Sequence, residues 1–406
     1  MTTPLSPDQR SAVIAFRNWC GSDAPVFRLD GPAGTGKTTI AKQMAAATTA
    51  PTIYTAPTGK AASRLSTKVG EPAVTLHSLL FTPRTVEEPD PRNPKRTITR
   101  PAFSDRGRDL DGHLVIVDEA SMVPKFVGEA LVRTGARVLV IGDSAQLSPV
   151  KSATYFTDDD RYPINAHLTS IHRQAHGNLI IDRATDIRTG KAVPFGSTPE
   201  FSLSRDASGL TVDDLLAADQ VLCATHLQRH AINTLFRERL NLRSSVAVGD
   251  KMVCMRNDTA LGVLNGTMWE VVGIEGAPPS MTAVMRSRDG FADGDIRVPL
   301  RSADAPIDPK RDYGEDVLKN PQDYQPWLPH GFTHGYAITT HKSQGSEWDH
   351  VVVAGHGVWS LPPYGGTNGA RWWYTAVTRA SRKVTAIESF SVGDLADVNQ
   401  LVAEPA

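Results

Sequence analysis

Short apolar runs, each followed by a polar or glycine-rich segment, recur along the chain. Continuous apolar runs of this length are typical of buried strands in a parallel sheet, and the stretches between several of them carry helical periodicity. The alternation predicts an α/β fold with parallel sheets. The strand candidates are residues 26–30, 52–56, 113–117, 137–142, 221–224, 336–340, 350–354 and 383–387, and the helix candidates are residues 5–19, 38–49 and 229–240.

The hydrophobic period changes to two between residues 249 and 300. Alternating runs at 251–256 and 268–274 flank Asn265-Gly266, a strong signal for a β-hairpin turn. Further runs at 282–287 and 295–300 predict a small β-barrel inserted among the α/β elements. The pattern leaves open whether this insertion is purely structural.

The apolar pattern disappears between residues 81 and 111. Residues 92–108 contain six basic residues and one acidic residue, with prolines that exclude a helix and a short strand-like run at 97–99. One interpretation is a solvated loop. The other is a basic hairpin that contacts phosphates, with Phe103 as its aromatic residue.

A second irregular stretch, residues 304–329, is rich in proline and holds Tyr313, Tyr324 and Trp327. These rings would suit stacking on bases. Packing beneath a long loop is the favoured interpretation.

Composition narrows the function classes. The 406 residues suffice for two to four domains, and their 40% hydrophobic and 21% charged content is that of a soluble globular protein. A net charge of −1 gives no global basic field, so nucleic-acid binding would need local grooves. Three scattered cysteines fit neither a disulfide framework nor a zinc site, and no apolar run is long enough to span a membrane. We therefore expect a cytoplasmic protein.

Residues 31–39 carry the most specific chemistry. They read Gly-Pro-Ala-Gly-Thr-Gly-Lys-Thr-Thr, follow a strand and precede a helix, which matches the phosphate-loop pattern. Lys37 would reach the β- and γ-phosphates of a nucleotide, and the Thr38 hydroxyl would bind Mg²⁺. The predicted nucleotide contacts are Gly31, Pro32, Ala33, Gly34, Thr35, Gly36, Lys37, Thr38 and Thr39.

Two later strands end in polar side chains that complete a hydrolytic site. Asp118 and Glu119 follow the strand at 113–117, where Asp118 would hold the metal through water and Glu119 would orient or deprotonate the attacking water. Gln146 follows the strand at 137–142 and could reach the γ-phosphate or its water. Gln9 can donate and accept at once, as an adenine edge requires, although by itself it is also an ordinary solvated helix residue.

With these motifs in order, the chain resembles superfamily 1 helicases, specifically the RecD/Dda-like group (superfamily 1B). The resemblance continues through the second half and covers residues 9–383. It departs at Ser148, where the family usually has proline, and at Trp372-Trp373, where aliphatic residues are common; both concern local packing. The motifs that carry it are residues 31–39, 57–65, 75–79, 118–121, 142–150, 168–174, 337–347 and 374–380.

The resemblance implies two RecA-like lobes with ATP between them and single-stranded DNA across them. Lobe 1 would comprise residues 1–80 and 112–165 with a basic hairpin at 81–111, and lobe 2 residues 166–247 and 333–406 with the barrel at 248–332. It further implies 5′→3′ unwinding of fork DNA with ATP and Mg²⁺. The protein would act as a monomer in a bacterial or phage-infected cell. It could bind single-strand-binding or replisome proteins during replication, recombination or repair.

Several roles rest on the resemblance alone. Arg173 and Arg379 would be arginine fingers, while Gly345 and Glu347 would line the ATP side of lobe 2. Gln9 would read adenine, and Gln146 would sense the γ-phosphate. The implied DNA contacts, to which Phe103 of the hairpin is added, are Pro57, Thr58, Lys60, His77, Thr340 and His341.

Three other functions are compatible with parts of the pattern. A DNA-stimulated ATPase that translocates without separating strands would share every motif. A phosphate-loop kinase or transferase would explain residues 31–39 but leave the motifs around Arg173 and Arg379 without a purpose. A catalytically inactive DNA-binding module is disfavoured by the intact Lys37, Asp118 and Glu119.

Overall fold

The computed structural model describes residues 5–90, 93–148, 154–157, 161–170, 178–258, 260–277, 280–300, 331–355 and 366–398. The chain divides into two compact units, Met1–Ala175 and His176–Ala406. The boundary lies ten residues beyond the predicted one at 165/166, because a short strand at Ala166–His167 still pairs within the first unit. No helix within the described ranges is long and apolar enough to cross a membrane.

The first unit is built on a six-stranded, fully parallel sheet in the order β3-β2-β6-β7-β1-β8. Its strands are β1 (Val26–Asp30), β2 (Thr52–Ala56), β3 (Ala73–Thr75), β6 (Leu114–Val117), β7 (Arg137–Gly142) and β8 (Ala166–His167). Its helices are α1 (Pro7–Cys20), α2 (Lys37–Ala45), α3 (Gly59–Val69), α4 (Leu76–Leu80) and α5 (Lys125–Arg133), with a 3-10 turn at Ala120–Met122.

Helices cover both faces of this sheet. One core cluster joins α1 and α2 to β1 and β7, and a second joins α4 and α5 to the opposite face. The central strands are continuously apolar because neither of their faces meets water. Ser6 caps α1 and Pro7 opens it, as the sequence predicted. Helix α2 ends at Ala45, earlier than predicted.

A long antiparallel hairpin, β4 (Phe81–Asp90) and β5 (Asn93–Asp105), is inserted between α4 and β6. The sequence showed only a short strand here, because its prolines weaken a strand pattern. Both strands of a two-stranded ribbon are edge strands. A proline is tolerated at a position where the backbone N–H would point away from the partner strand, because no hydrogen bond between the strands is lost there. Pairing still runs from Phe81 opposite Asp105 to Asp90 opposite Asn93.

The second unit holds a six-stranded sheet in the order β17-β11-β18-β19-β10-β9, parallel except for the β9–β10 pair. Its strands are β9 (Gly196–Ser197), β10 (Phe201–Ser204), β11 (Gln220–Cys223), β17 (Ala337–Thr339), β18 (Trp348–Ala354) and β19 (Ala380–Ile387). Its helices are α6 (Leu179–Arg188), α7 (Val212–Leu216), α8 (His226–Arg239) and α9 (Gly366–Val377), with 3-10 turns at Thr340–Ser343 and Val392–Asp394.

A five-stranded antiparallel sheet is inserted between α8 and β17, in the order β15-β14-β13-β12-β16. Its strands are β12 (Lys251–Cys254), β13 (Met268–Glu275), β14 (Thr282–Ser287), β15 (Ile296–Pro299) and β16 (Phe332–His334). Strands β12 and β13 pair as predicted, and Asn265-Gly266 forms a turn that is closed by the bond from the Thr267 N–H to the Leu264 carbonyl at 3.1 Å. This turn is only the last part of the connection between Cys254 and Met268, so the expected two-residue hairpin loop is longer than predicted. The Gly266 N–H donates to the Cys254 carbonyl.

Candidate nucleotide-binding and nucleic-acid sites

The phosphate loop lies where β1 ends and α2 begins. Gly36 stands at the N-cap of α2 with φ 76°, a left-handed conformation that favours glycine, and no side chain caps the helix. Gly31 packs closely, because a Cβ there would lie 3.0 Å from Leu168 Cβ. The backbone can therefore curl so that N–H groups at the α2 N-terminus face phosphate oxygens, aided by the helix dipole.

Lys37 bends back over this loop. Its Nζ donates to the Gly31 carbonyl at 2.6 Å and to the Pro32 carbonyl at 2.8 Å. An ammonium has three N–H groups, so the same geometry leaves a third direction for a phosphate oxygen. The loop carbonyls thus hold the Lys37 ammonium group where the phosphates of a bound nucleotide would lie.

Thr38 and Asp118 meet beside the loop, although 80 residues separate them in sequence. The Thr38 Oγ1 donates to Asp118 Oδ2 at 2.9 Å, and the Glu119 backbone N–H donates to Asp118 Oδ1 at 3.0 Å. Mg²⁺ in nucleotide sites takes few protein oxygens and completes its octahedron with water and phosphates. One hydroxyl and one carboxylate fit that requirement, so these two residues can hold the metal.

Glu119 adopts φ 53°, one of two non-glycine residues with positive φ among those described. Such a conformation is costly for a residue with a Cβ, and backbone strain of this kind concentrates at functional sites. Glu119 lies two residues after β6 and immediately precedes the 3-10 turn Ala120–Met122. The geometry is consistent with a carboxylate held in place for catalysis.

Gln146 is buried, with 5% exposure, and its Nε2 donates to Asp143 Oδ2 at 3.4 Å. Its Oε1 is also buried and finds no hydrogen-bond partner among the described residues. A buried amide oxygen without a donor is costly, so it suits a ligand or water that donates there. This favours the predicted contact with the attacking water, which can donate to Oε1, over contact of this atom with a γ-phosphate oxygen, which only accepts.

Asp30, the last residue of β1, immediately precedes the phosphate loop and contacts the loop that carries Gln146. Its carboxylate accepts the Ser144 backbone N–H at 2.9 Å and the Ser144 hydroxyl at 3.2 Å, and lies 3.2 Å from His167 Nδ1. Sequence reasoning missed this residue because one acid before a glycine-rich loop carries no recognisable signal. Its role is visible only where three strand ends meet.

Gln9 is buried and uses both ends of its amide within the first unit. Its Nε2 donates to the Thr35 carbonyl at 3.0 Å, and its Oε1 accepts the Ser6 backbone N–H at 3.1 Å. The side chain therefore braces the phosphate loop. Adenine recognition by Gln9 stays a prediction.

In the second unit, Arg379 is buried at the end of α9. Its Nε donates to the Thr375 carbonyl at 3.0 Å and its Nη1 to the Ser346 carbonyl at 3.3 Å. The bond to Ser346 attaches Arg379 to the loop that carries Gly345, at φ 75°, and Glu347. The other predicted arginine finger, Arg173, lies outside the described residues.

The predicted DNA contacts of the first unit are partly exposed. Thr58 caps α3 by accepting the Ala61 N–H at 3.2 Å, and Pro57 and Lys60 are half-buried beside it. His77 on α4 is half-buried, and burial lowers its pKa, so the ring favours the neutral form near pH 7. A neutral ring can stack or hydrogen-bond to a base without adding charge.

An aromatic cluster surrounds His77 at the root of the hairpin. Ring centroids lie 5.6 Å apart for His77 and Phe103, 5.7 Å for His77 and Phe81, and 6.0 Å for His77 and Phe126. Phe103 and Phe126 remain 54% and 53% exposed. Sequence reasoning found Phe103 but missed Phe126, which reads as an ordinary residue of an amphipathic helix.

The predicted DNA contacts of the second unit differ in exposure. Thr340 is fully buried, and its hydroxyl donates to the Cys223 carbonyl at 3.5 Å, so its side chain faces the interior. His341 is half-buried in the same 3-10 turn. Next to it, Lys342 Nζ donates to Asn265 Oδ1 at 2.5 Å, which joins this motif to the inserted sheet.

Comparison with known proteins agrees with this arrangement. An AAA domain family model matches residues 4–200, and the model of the UvrD-like helicase C-terminal domain matches residues 334–387. The ATP-dependent RecD2 DNA helicase of Deinococcus radiodurans is 30% identical over 92% of this chain and 48% of its own length. The RecBCD enzyme subunit RecD of Mycobacterium tuberculosis is 29% identical over 95% of this chain and 70% of its own. In sequence, this chain is similar to superfamily 1 helicases of the RecD/Dda-like group.

The fold is also similar to that of a known helicase. A Pif1 helicase from Bacteroides, solved in complex with ADP-AlF3 and ssDNA, superposes with a TM-score of 0.57 at 18% identity, covering 97% of this chain and 94% of that one. At this identity the likeness concerns the fold. The chain spans about half the length of the RecD2 relative, and less of two conjugal transfer proteins TraA.

Proposed function

We propose that the chain is an ATP-dependent DNA helicase that moves 5′→3′ on single-stranded DNA. The observation that carries the proposal is the direct pairing of Thr38 with Asp118 beside the lysine-bearing phosphate loop, which is the donor set of a nucleotide hydrolase. Similarity to RecD2 and RecD supports DNA as the polymer. Polarity, and coupling of hydrolysis to the spacing of the two units, rest on the family resemblance.

In the proposed reaction, water attacks the γ-phosphorus and the bond from that phosphorus to the β-phosphate oxygen breaks. Glu119 takes the proton from the water, while Gln146 orients it. Lys37 stabilises the charge that develops on the phosphate oxygens. Thr38 and Asp118 would hold Mg²⁺, which would supply positive charge beside the phosphate oxygens. Arg379 and Arg173 would act as arginine fingers, whose guanidinium groups donate to the phosphate oxygens.

A fork assay tests direction and strand separation together. We expect unwinding of forks that have a 5′ single-stranded tail, and little unwinding of matched forks with only a 3′ tail. The measurement is release of a labelled strand with ATP and Mg²⁺. A preference for the 3′ tail would contradict the polarity. DNA-stimulated ATP hydrolysis without release on either fork would favour the alternative, a translocase that remodels protein–DNA complexes.

Altering the inserted hairpin can distinguish a helicase from a translocase that does not separate strands. We propose that it acts as a wedge, supported by its aromatic root at Phe103 and Phe126 and by the basic residues Lys95, Arg96 and Arg100 of β5. Replacing residues 85–101 with Asn-Gly keeps the root pairs, such as Pro83 with Phe103. We expect loss of unwinding with DNA-stimulated ATP hydrolysis retained.

Phe126→Ala tests the root of the wedge separately. Loss of its packing on His77 should lower the unwinding rate several-fold with little change in ATP hydrolysis, since ring pairs contribute about 1 kcal/mol. Phe195→Ala is the matched control, as Phe195 is 47% exposed in the second unit. Full unwinding by the shortened hairpin would show that the wedge lies elsewhere.

A further inference from the structure

Asp30 is a buried carboxylate whose hydrogen bonds reach the loop that carries Gln146. Its side chain is 1% exposed, its Oδ1 accepts the Ser144 backbone N–H at 2.9 Å, and its Oδ2 accepts the Ser144 hydroxyl at 3.2 Å. Burying a carboxylate costs free energy unless hydrogen-bond donors replace the water that it loses. Both oxygens of Asp30 therefore hold one residue of a neighbouring loop, Ser144, which supplies two of these donors.

Pairing of the two strands does not require these side-chain bonds. Strand β1 pairs with β7 in register up to Asp30, which lies opposite Gly142. The Gly31 N–H continues this pairing, because it donates to the Gly142 carbonyl at 3.3 Å. Ser144 lies beyond the end of β7, so the Asp30 side chain fixes the loop that follows the strand rather than the strand itself.

Hydrogen bonds within residues 143–146 make this loop a tight turn. The Gln146 backbone N–H and the Ala145 N–H donate to the Asp143 carbonyl and to Asp143 Oδ1, both at 3.1 Å. The Gln146 Nε2 also donates to Asp143 Oδ2 at 3.4 Å. Because these bonds link the backbone and side chain of Gln146 to the start of the turn, a shift of Ser144 would move the Gln146 amide with it.

Asp30 immediately precedes the phosphate loop, and the next residue, Gly31, accepts a hydrogen bond from Lys37 Nζ at 2.6 Å. One carboxylate therefore links the start of the phosphate loop to the turn that carries Gln146. We infer that Asp30 is a positioning residue for Gln146: it fixes the buried Gln146 amide relative to the phosphate loop, so that Oε1 accepts from the attacking water. The inference rests on the proposed function. Small errors in the placement of such a group have large effects on rate.

A double-mutant cycle on DNA-stimulated ATP hydrolysis tests the inference. We expect Asp30→Ala to lower kcat roughly ten- to hundredfold, with the Kd for ATP nearly unchanged. In the Gln146→Ala background, where kcat has already fallen roughly 10²-fold, Asp30→Ala should cause little further loss. Asp30→Asn should restore much of kcat, because its amide oxygen can accept the Ser144 N–H while its amide nitrogen donates to the Ser144 hydroxyl.

Ser144→Ala is a milder form of the same test. It removes the hydroxyl bond to Asp30 but keeps the backbone bond, so we expect the fold to be retained and kcat to fall about three- to fivefold. That loss should also disappear in the Gln146→Ala background.

Two controls separate positioning from stability. Asn165→Ala removes another hydrogen bond to β1, since Asn165 Oδ1 accepts the Arg28 N–H at 2.7 Å, and should lower the melting temperature while leaving kcat close to wild type. His167→Ala removes another group beside the carboxylate, because His167 Nδ1 lies 3.2 Å from Asp30 Oδ2. Its kcat should also stay close to wild type.

Three outcomes would overturn the inference. Losses that multiply in the Asp30→Ala, Gln146→Ala double variant would show that Asp30 does not act through Gln146. A kcat loss in Asn165→Ala or His167→Ala equal to that of Asp30→Ala would indicate a general effect on the fold. Turnover by Asp30→Asn as slow as that of Asp30→Ala would indicate that the charge matters rather than the hydrogen bonds. A wild-type chain without DNA-stimulated ATP hydrolysis would contradict the proposed function itself.

Discussion

Lys37→Ala is expected to abolish ATP turnover, with kcat at least about 10³-fold below wild type. The Lys37 ammonium is held over the phosphate loop by the Gly31 and Pro32 carbonyls, so it is already in place when phosphate charge develops. Alanine removes this charge and leaves the loop carbonyls without their donor. Steady-state hydrolysis with saturating single-stranded DNA measures the effect.

Lys42→Ala is the matched control for that experiment. Lys42 lies on the same helix, α2, but its side chain is exposed. We expect its turnover to equal that of the wild type. Because both substitutions remove one lysine from one short helix, a difference between them reports on the site rather than on helix stability. Turnover by Lys37→Ala close to wild type would remove this residue from the catalytic assignment.

Glu119→Gln is expected to bind ATP normally and to hydrolyse it about 10²- to 10⁴-fold more slowly. Glutamine keeps the shape of the side chain but cannot accept the proton from the attacking water. The substitution also keeps a side chain at the strained position, φ 53°, so local structure should be preserved. Single-turnover hydrolysis, together with binding of a fluorescent ATP analogue, separates the chemical step from affinity.

A control for Glu119→Gln is available on the neighbouring helix. Glu129 on α5 is half-buried, with a side chain that is 40% exposed, and pairs with Lys125 at 3.9 Å, so Glu129→Gln should behave as wild type. Weak ATP binding by Glu119→Gln would indicate a structural role for the carboxylate. Normal hydrolysis would mean that another group accepts the proton.

Much of the fold was predictable because its signals are local. Buried parallel strands form nearly continuous apolar runs, so β6 and β7 stand out from the residues around them. Ser6 and Pro7 mark the start of α1 by capping chemistry alone. The hairpin was underestimated because prolines weaken a strand pattern, although a two-stranded ribbon tolerates them.

Only part of the candidate site was predictable from the sequence. Lys37 and Thr38 belong to one continuous motif, and Asp118 and Glu119 follow a strand whose end must face the same edge of a parallel sheet. Phe126 and Asp30 could not be found in this way. Their neighbours, His77 for one and Ser144 for the other, are distant in sequence and meet them only after folding.

The sequence by itself therefore determined the motifs from which the chemistry is predicted: a phosphate loop, two carboxylates after a strand, and an ordered set of motifs that resembles those of RecD/Dda-like helicases. Such motifs are readable because each depends on residues close together in the chain. Only the tertiary structure decided which groups hold them in place. Asp8 contacts Thr169 and Ser170, and Thr340 turns its hydroxyl inward. Hydrogen bonds of this kind depend on positions in space, which no spacing along the chain records.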